Sequence, residues 1–154
     1  MTRITLLFSL LIMCSCKQNT SALKENILKY ENGNIKRRFY TSNEMIQDTM
    51  WDYYPSGELS KLRLFKDSKQ DGRSLYYFKE GPLSEVQHYI NGSMVDMDTT
   101  YFISGKIRMI AEFKNNMRNG AFTVFKEDGS IEKVSEYRND TLLVSTLTDS
   151  TSHK

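Results

Sequence analysis

Residues 57–80 read GELSKLRLFKDSKQDGRSLYYFKE, and residues 81–104 read GPLSEVQHYINGSMVDMDTTYFIS. The second stretch answers the first position by position: Gly57 by Gly81, Leu59 by Leu83, Leu62 by Val86, Phe65 by Tyr89, Asp67 by Asn91 and Tyr77 by Tyr101. Outward from there the same step of 24 residues joins Gly33, Gly57, Gly81, Gly105 and Gly129, five of the eight glycines. Given one glycine, four further hits against a background of roughly 5% arise by chance about once in 10⁵. Other columns keep the step. Ile35, Leu59, Leu83, Ile107 and Ile131 stand two residues after each glycine, and Asn43, Asp67, Asn91, Asn115 and Asn139 stand ten after. Two aromatic columns flank the glycines, Tyr53, Tyr77, Tyr101 and Phe125 before, and Phe65, Tyr89, Phe113 and Tyr137 after.

Tyr, Phe, Ile and Val fill the strand positions of each unit, and Gly, Asn and Asp punctuate them, so each unit predicts strand, tight turn, strand, longer turn. The tight turns centre on triplets such as Pro55-Ser56-Gly57 and Glu127-Asp128-Gly129. Ser56, Glu80 and Ser104 resist the positive φ that a two-residue type I′ loop needs, so three-residue loops with a left-handed glycine are expected. Pro82 removes a backbone donor after Gly81 and predicts the weakest hairpin there. The longer turn is expected to run from the Asn/Asp column to Asp48, Gly72, Asp96 and Gly120. The first unit looks degraded, with Arg38 where others carry Leu62 or Val86 and with Phe39 and Tyr40 off register. Terminal units of arrays are commonly atypical because they cap. Residues 141–154 form a Ser/Thr-rich tail in which Leu142-Leu143-Val144 offers one further strand.

The chain of 154 residues fits one domain, and its 21 Lys+Arg against 19 Asp+Glu create no field broad enough to hold nucleic acid. A hydrophobic fraction of 39% excludes both a polytopic membrane protein and a highly charged disordered chain. Arg3 precedes an apolar run, Ile4 to Met13, too short to span a bilayer and the right length for the h-region of a secretory signal. The run ends at Met13-Cys14-Ser15-Cys16-Lys17.

That junction resembles the bacterial lipoprotein signal, and Cys16, preceded by small Ser15, fits it better than Cys14, preceded by bulky Met13. The resemblance implies cleavage after Ser15, lipid on Cys16 and anchorage to a bacterial envelope membrane on its periplasmic or surface side. The alternative is an ordinary cleaved signal with an incidental cysteine pair. Two or more acyl chains anchor stably where one is marginal. The expected organisation is a signal peptide over 1–15, a lipidated tether over 16–26, a β-repeat domain over 27–140 and the tail over 141–154. Without Cys14 the mature chain has one cysteine, which excludes an internal disulfide and a thiolate zinc site.

The pattern aromatic-x-[Asn/Asp]-x₄-[Gly/Asp]-x₄-aromatic occurs as Phe65, Asp67, Gly72, Tyr77, as Tyr89, Asn91, Asp96, Tyr101, and as Phe113, Asn115, Gly120, Phe125. It resembles the bacterial variant of the MORN (membrane occupation and recognition nexus) repeat. The resemblance implies an all-β fold, an elongated, twisted antiparallel meander of stacked hairpins built from about five 24-residue repeats. Many bacterial members are labelled antitoxin components, and other relatives act as scaffolds.

A single-layer meander must cover its aromatic columns. Tyr53, Phe65, Tyr77, Tyr89, Tyr101, Phe113, Phe125 and Tyr137 are therefore the expected partner surface, stacking across strands and left as an apolar stripe. No catalytic residue, cofactor or metal is expected. His88 lies in a column otherwise holding Leu64, Glu112 and Glu136 and reads as a solvated strand position. Asp67 and Asp71 suit turns better than calcium, because Lys69 takes the middle ligand position. Lys36-Arg37-Arg38 reads as a solvated face, or as contact with anionic headgroups near the anchor. The leading expectation is a lipid-anchored, non-enzymatic protein-binding or scaffold module. The alternatives are an antitoxin or immunity-like neutraliser of a toxic partner and, behind both, an envelope enzyme using Tyr, Asp and Glu.

Overall fold

The computed structural model describes residues 22–148, so Cys16 and its junction lie outside the described residues. The described chain is all-β. Eleven strands form one open antiparallel sheet in which each lies beside its sequence neighbours. They are β1 (Lys24–Lys29), β2 (Ile35–Ser42), β3 (Met45–Tyr53), β4 (Leu59–Lys66), β5 (Lys69–Tyr77), β6 (Leu83–Ile90), β7 (Ser93–Tyr101), β8 (Ile107–Lys114), β9 (Met117–Phe125), β10 (Ile131–Arg138) and β11 (Thr141–Leu147). The sheet thus runs past the expected 27–140 at both ends, taking in part of the tether and the first half of the tail.

The glycine turns have the expected form. Tyr54 O accepts from Gly57 N at 2.9 Å and Tyr54 N donates to Glu58 O at 2.8 Å, with Gly57 at φ +110°. The same pair of bonds recurs at Gly33, Gly81, Gly105 and Gly129. Pro82 costs its hairpin no ladder bond, because the residue after glycine contributes its carbonyl: Phe78 N donates to Pro82 O at 2.9 Å.

The other turns differ from expectation. They are two-residue loops, tighter than the glycine turns, with both central residues left-handed: Asn43 and Glu44, Asp67 and Ser68, Asn91 and Gly92, Asn115 and Asn116, Asn139 and Asp140. Asn and Asp tolerate that conformation through local hydrogen bonding, and type I′ geometry matches strand twist. The column Asp48, Gly72, Asp96 and Gly120 is therefore not a turn end. It lies inside β3, β5, β7 and β9 at φ +63°, +108°, +61° and +128°, where the ladder bulges. A Cβ at Gly120 would fall 3.0 Å from Glu112 Cβ, so this bulge needs glycine for space as well as for φ.

Four of these five two-residue turns also clamp the strand before their hairpin. Ser68 N donates to Ile46 O at 2.8 Å, Gly92 N to Gln70 O at 2.8 Å, Asn116 N to Met94 O at 3.0 Å and Asp140 N to Arg118 O at 3.0 Å. Side chains return the bond at three of the four, as where Met94 N donates to Asn116 Oδ1 at 2.7 Å. The first unit keeps this register: Arg38 opposes Trp51 as Leu62 opposes Leu75, and Thr41 opposes Ile46 as Phe65 opposes Gln70.

Cross-strand pairing sorts the side chains onto two faces. Met50, Arg63, Ser74 and Gln87 face one way, as do Asp98, Ala111, Phe122 and Ser135. Of the buried residues, Met50, Asp52, Ser74, Asp98, Ala111 and Ser135 lie on this first face and only Val86 on the second. With one layer there is no sandwich core. Burial comes from long side chains folding over small ones.

Candidate functional site

The expected partner surface is rearranged. Tyr53, Tyr77, Tyr101 and Phe125 oppose Leu59, Leu83, Ile107 and Ile131 beside the glycine turns. Phe65, Tyr89, Phe113 and Tyr137 oppose Gln70, Met94, Arg118 and Leu142 near the two-residue turns. The two columns occupy opposite strand ends and, by the alternation of side chains, opposite faces. They do not stack on one another. A two-residue turn at Asp67 and Ser68 brings Gln70 opposite Phe65, seven residues short of Tyr77. All eight rings are half-buried, and the large apolar side chains left exposed are aliphatic, such as Ile90, Met97 and Leu147.

A further ring column begins the glycine turns: Tyr30, Tyr54, Phe78 and Phe102. Its two hydroxyls tie successive hairpins, Tyr30 donating to Tyr53 O at 2.7 Å and Tyr54 to Tyr77 O at 2.8 Å. The 24-residue step was visible in the sequence, but the neighbouring Tyr77 column masked it.

On the first face, cations and rings form a band of mutual contacts. Arg37 Nε donates to Asp52 Oδ1 at 2.5 Å, and Arg63 pairs with Asp52 Oδ2 while lying 5.7 Å from the Phe65 ring. Lys61 lies 5.5 Å from the Tyr76 ring, and Arg118 lies 4.3 Å from that of Tyr137, which meets Phe122 edge-on at 5.7 Å. In the middle, Tyr76 and Tyr89 both donate to Gln87 Oε1, at 3.0 and 2.9 Å, and Gln87 Nε2 donates to Glu85 Oε1 at 2.5 Å.

Beside this network sits a carboxyl pair that the sequence did not signal. Glu85 opposes Thr100, which puts Asp98 on the diagonal. Burial first, then the charge of Glu85 and a hydrogen bond between the two carboxyls, push Asp98 up to about 7. Its Oδ1 is buried with no hydrogen-bond partner. Burial also pushes Tyr76 up to about 12, with Tyr89 and Glu85 adding to it, and raises Tyr89. A buried carboxyl raised in this way beside a second carboxyl has a property that acid–base chemistry needs. A hollow of about 600 Å³ lined by Ile90, Val95, Met97 and Glu112 lies apart from it.

The remaining candidates fall where turns and strands put them. His88 is half-buried on the second face, its Nδ1 3.4 Å from Met97 O. Asp67 Oδ1 accepts from Gln47 Nε2, and among the described residues no cluster of three His, Cys, Asp or Glu could hold a metal. The basic triplet is divided by alternation: Arg37 goes to Asp52, Arg38 to Glu25 at 2.5 Å and to the Trp51 ring, and Lys36 lies over Tyr30. No described helix is long and apolar enough to cross a membrane. No protein-family model and no curated protein matches the chain.

Proposed function

We propose that the chain is a non-enzymatic binding module, anchored to a bacterial envelope membrane through lipid on Cys16 and offering the first face of its MORN-like sheet to a protein partner. The observation that carries this reading is the band of cation–ring and hydrogen-bonded contacts from Arg37 to Tyr137. Interface hot spots are enriched in Arg and Tyr. Side chains already held by neighbours lose little freedom on binding, which removes a main cost of association. At about 4.8 Å per strand, β2 to β10 present a band about 40 Å wide, the breadth of a protein footprint rather than of a metabolite.

The test is a photo-crosslinking amino acid placed at Tyr89 on the first face or at Thr99 on the second, in the full chain in its own membrane. A partner captured from position 89 and not from 99 supports the reading. Capture from 99 alone overturns it. Labelled palmitate should enter the wild type and not Cys16→Ser, and equal labelling removes the anchor.

One observation favours a second reading. Asp98, buried beside Glu85 and pushed up to about 7, has the character of an acid–base group, so an enzyme acting on an envelope substrate is the competing proposal. Asp98→Asn would abolish such an activity and leave capture at position 89 intact.

A further inference from the structure

We propose that β11 pairs with β11 of a second copy of this chain, antiparallel about a two-fold axis at Val144, making one continuous sheet across the dimer. Among the described residues β11 has no strand on its outer side. Every residue of Thr141–Leu147 is exposed and none is charged; Leu142, Leu143, Val144 and Leu147 are 49%, 48%, 57% and 75% exposed. An open, apolar edge of this kind is a template for another strand. The opposite edge, β1, is protected by Lys24, Glu25 and Lys29 in its six residues.

The clamps described above leave a gap at this edge. Ile46, Gln70, Met94 and Arg118 each accept a backbone bond from the turn that follows in the sheet. Leu142 is the next member of that series, 24 residues after Arg118, and no described turn reaches it. The inner side of β11 is satisfied by β10. Backbone donors and acceptors therefore face outward along a strand that carries no charge, its one irregularity a bulge at Leu143 between the Val144–Glu136 and Leu142–Tyr137 pairs.

Strand parity selects the occupant. With eleven strands in a meander, β1 and β11 run in the same direction. Adding β1 of another copy to β11 in the same orientation gives a parallel pair. Turning that copy over to make the pair antiparallel carries its first face to the wrong side. Rotation about the sheet normal alone joins β11 to β11 antiparallel and keeps both first faces on one side, and the symmetry closes at two copies. In that register Val144 meets Val144 of its mate, Leu143 meets Ser145, Leu142 meets Thr146 and Thr141 meets Leu147, with no charge opposed to a like charge.

Directly opposed strand residues have Cα atoms about 4.5–5.5 Å apart, inside the range a disulfide spans. Val144→Cys in the full chain, in membranes under oxidising conditions, should give a disulfide-linked dimer, whereas Ile27→Cys on β1 should not exceed the wild-type background. By sedimentation in detergent, Val144→Lys should weaken dimerisation at least tenfold while keeping the wild-type β spectrum. Mixing Val144→Lys with Val144→Glu should restore the dimer. A monomeric wild type, crosslinking through Ile27→Cys, or a mixture no better than Val144→Lys alone each overturns the proposal. None of these readouts depends on what the first face binds.

Discussion

Asp98 shows how one side chain couples the sheet to its surroundings. Its folded-state value, about 7, lies above its ordinary 3.8 because burial and Glu85 both oppose its charge. The folded protein therefore binds this proton more tightly than the unfolded chain. The stability it contributes is complete below about pH 4 and is lost as pH rises through about 7. After allowance for solvent screening the change is about 1–2 kcal/mol. Urea unfolding between pH 4 and 8 should show stability falling over this window in the wild type, and Asp98→Asn should flatten the slope. A wild type that gains stability across the same window contradicts the assignment. Nothing local in the sequence marks this pair, because Glu85 and Asp98 are 13 residues apart and meet only through the bulged register of β6 and β7.

At the scale of the hairpin, side chains supplement the ladder. The Tyr54 hydroxyl reaches across to Tyr77 O, and Phe78 and Phe102 occupy the same place without one. Tyr54→Phe should cost about 1 kcal/mol and speed amide exchange at the ends of β3 and β5 more than in β9. Uniform exchange would show that the bond ties nothing. The glycine loops were legible because Pro55, Ser56 and Glu80 allow few conformations. The two-residue turns were not legible, because in the sequence Asn43 and Asp67 look like the start of a longer loop and Asp48 and Gly72 like its end. Left-handed residues occur at both, and only backbone angles separate a turn from a bulge. A longer loop would put the two aromatic columns on a common face, whereas the bulged register puts them on opposite faces and interleaves cations, rings and amides on the first.

For the whole molecule, the single layer leaves few residues fully enclosed, with Met50, Val86 and Ala111 the buried apolar ones. Stability is distributed along the ladder, as in other arrays whose units touch only their neighbours. Excising residues 82–105 joins Gly81 to Lys106 and preserves the glycine turn and the register on both sides. The shortened chain should keep its β spectrum, unfold with an m-value lower by about a fifth and lose the pH slope that Asp98 confers. Loss of all folded signal would mean that distant strands support one another.

Among the described residues extensive contacts join only consecutive strands, and no strand returns to cover the sheet. Nothing in such a molecule measures its own extent. A closed barrel tolerates one size because its last strand must meet its first, but this ladder accepts another rung at no geometric cost. Span becomes an adjustable property: inserting or losing a hairpin lengthens or shortens the reach from the N-terminal edge to β11 by about 10 Å while leaving every existing joint unchanged.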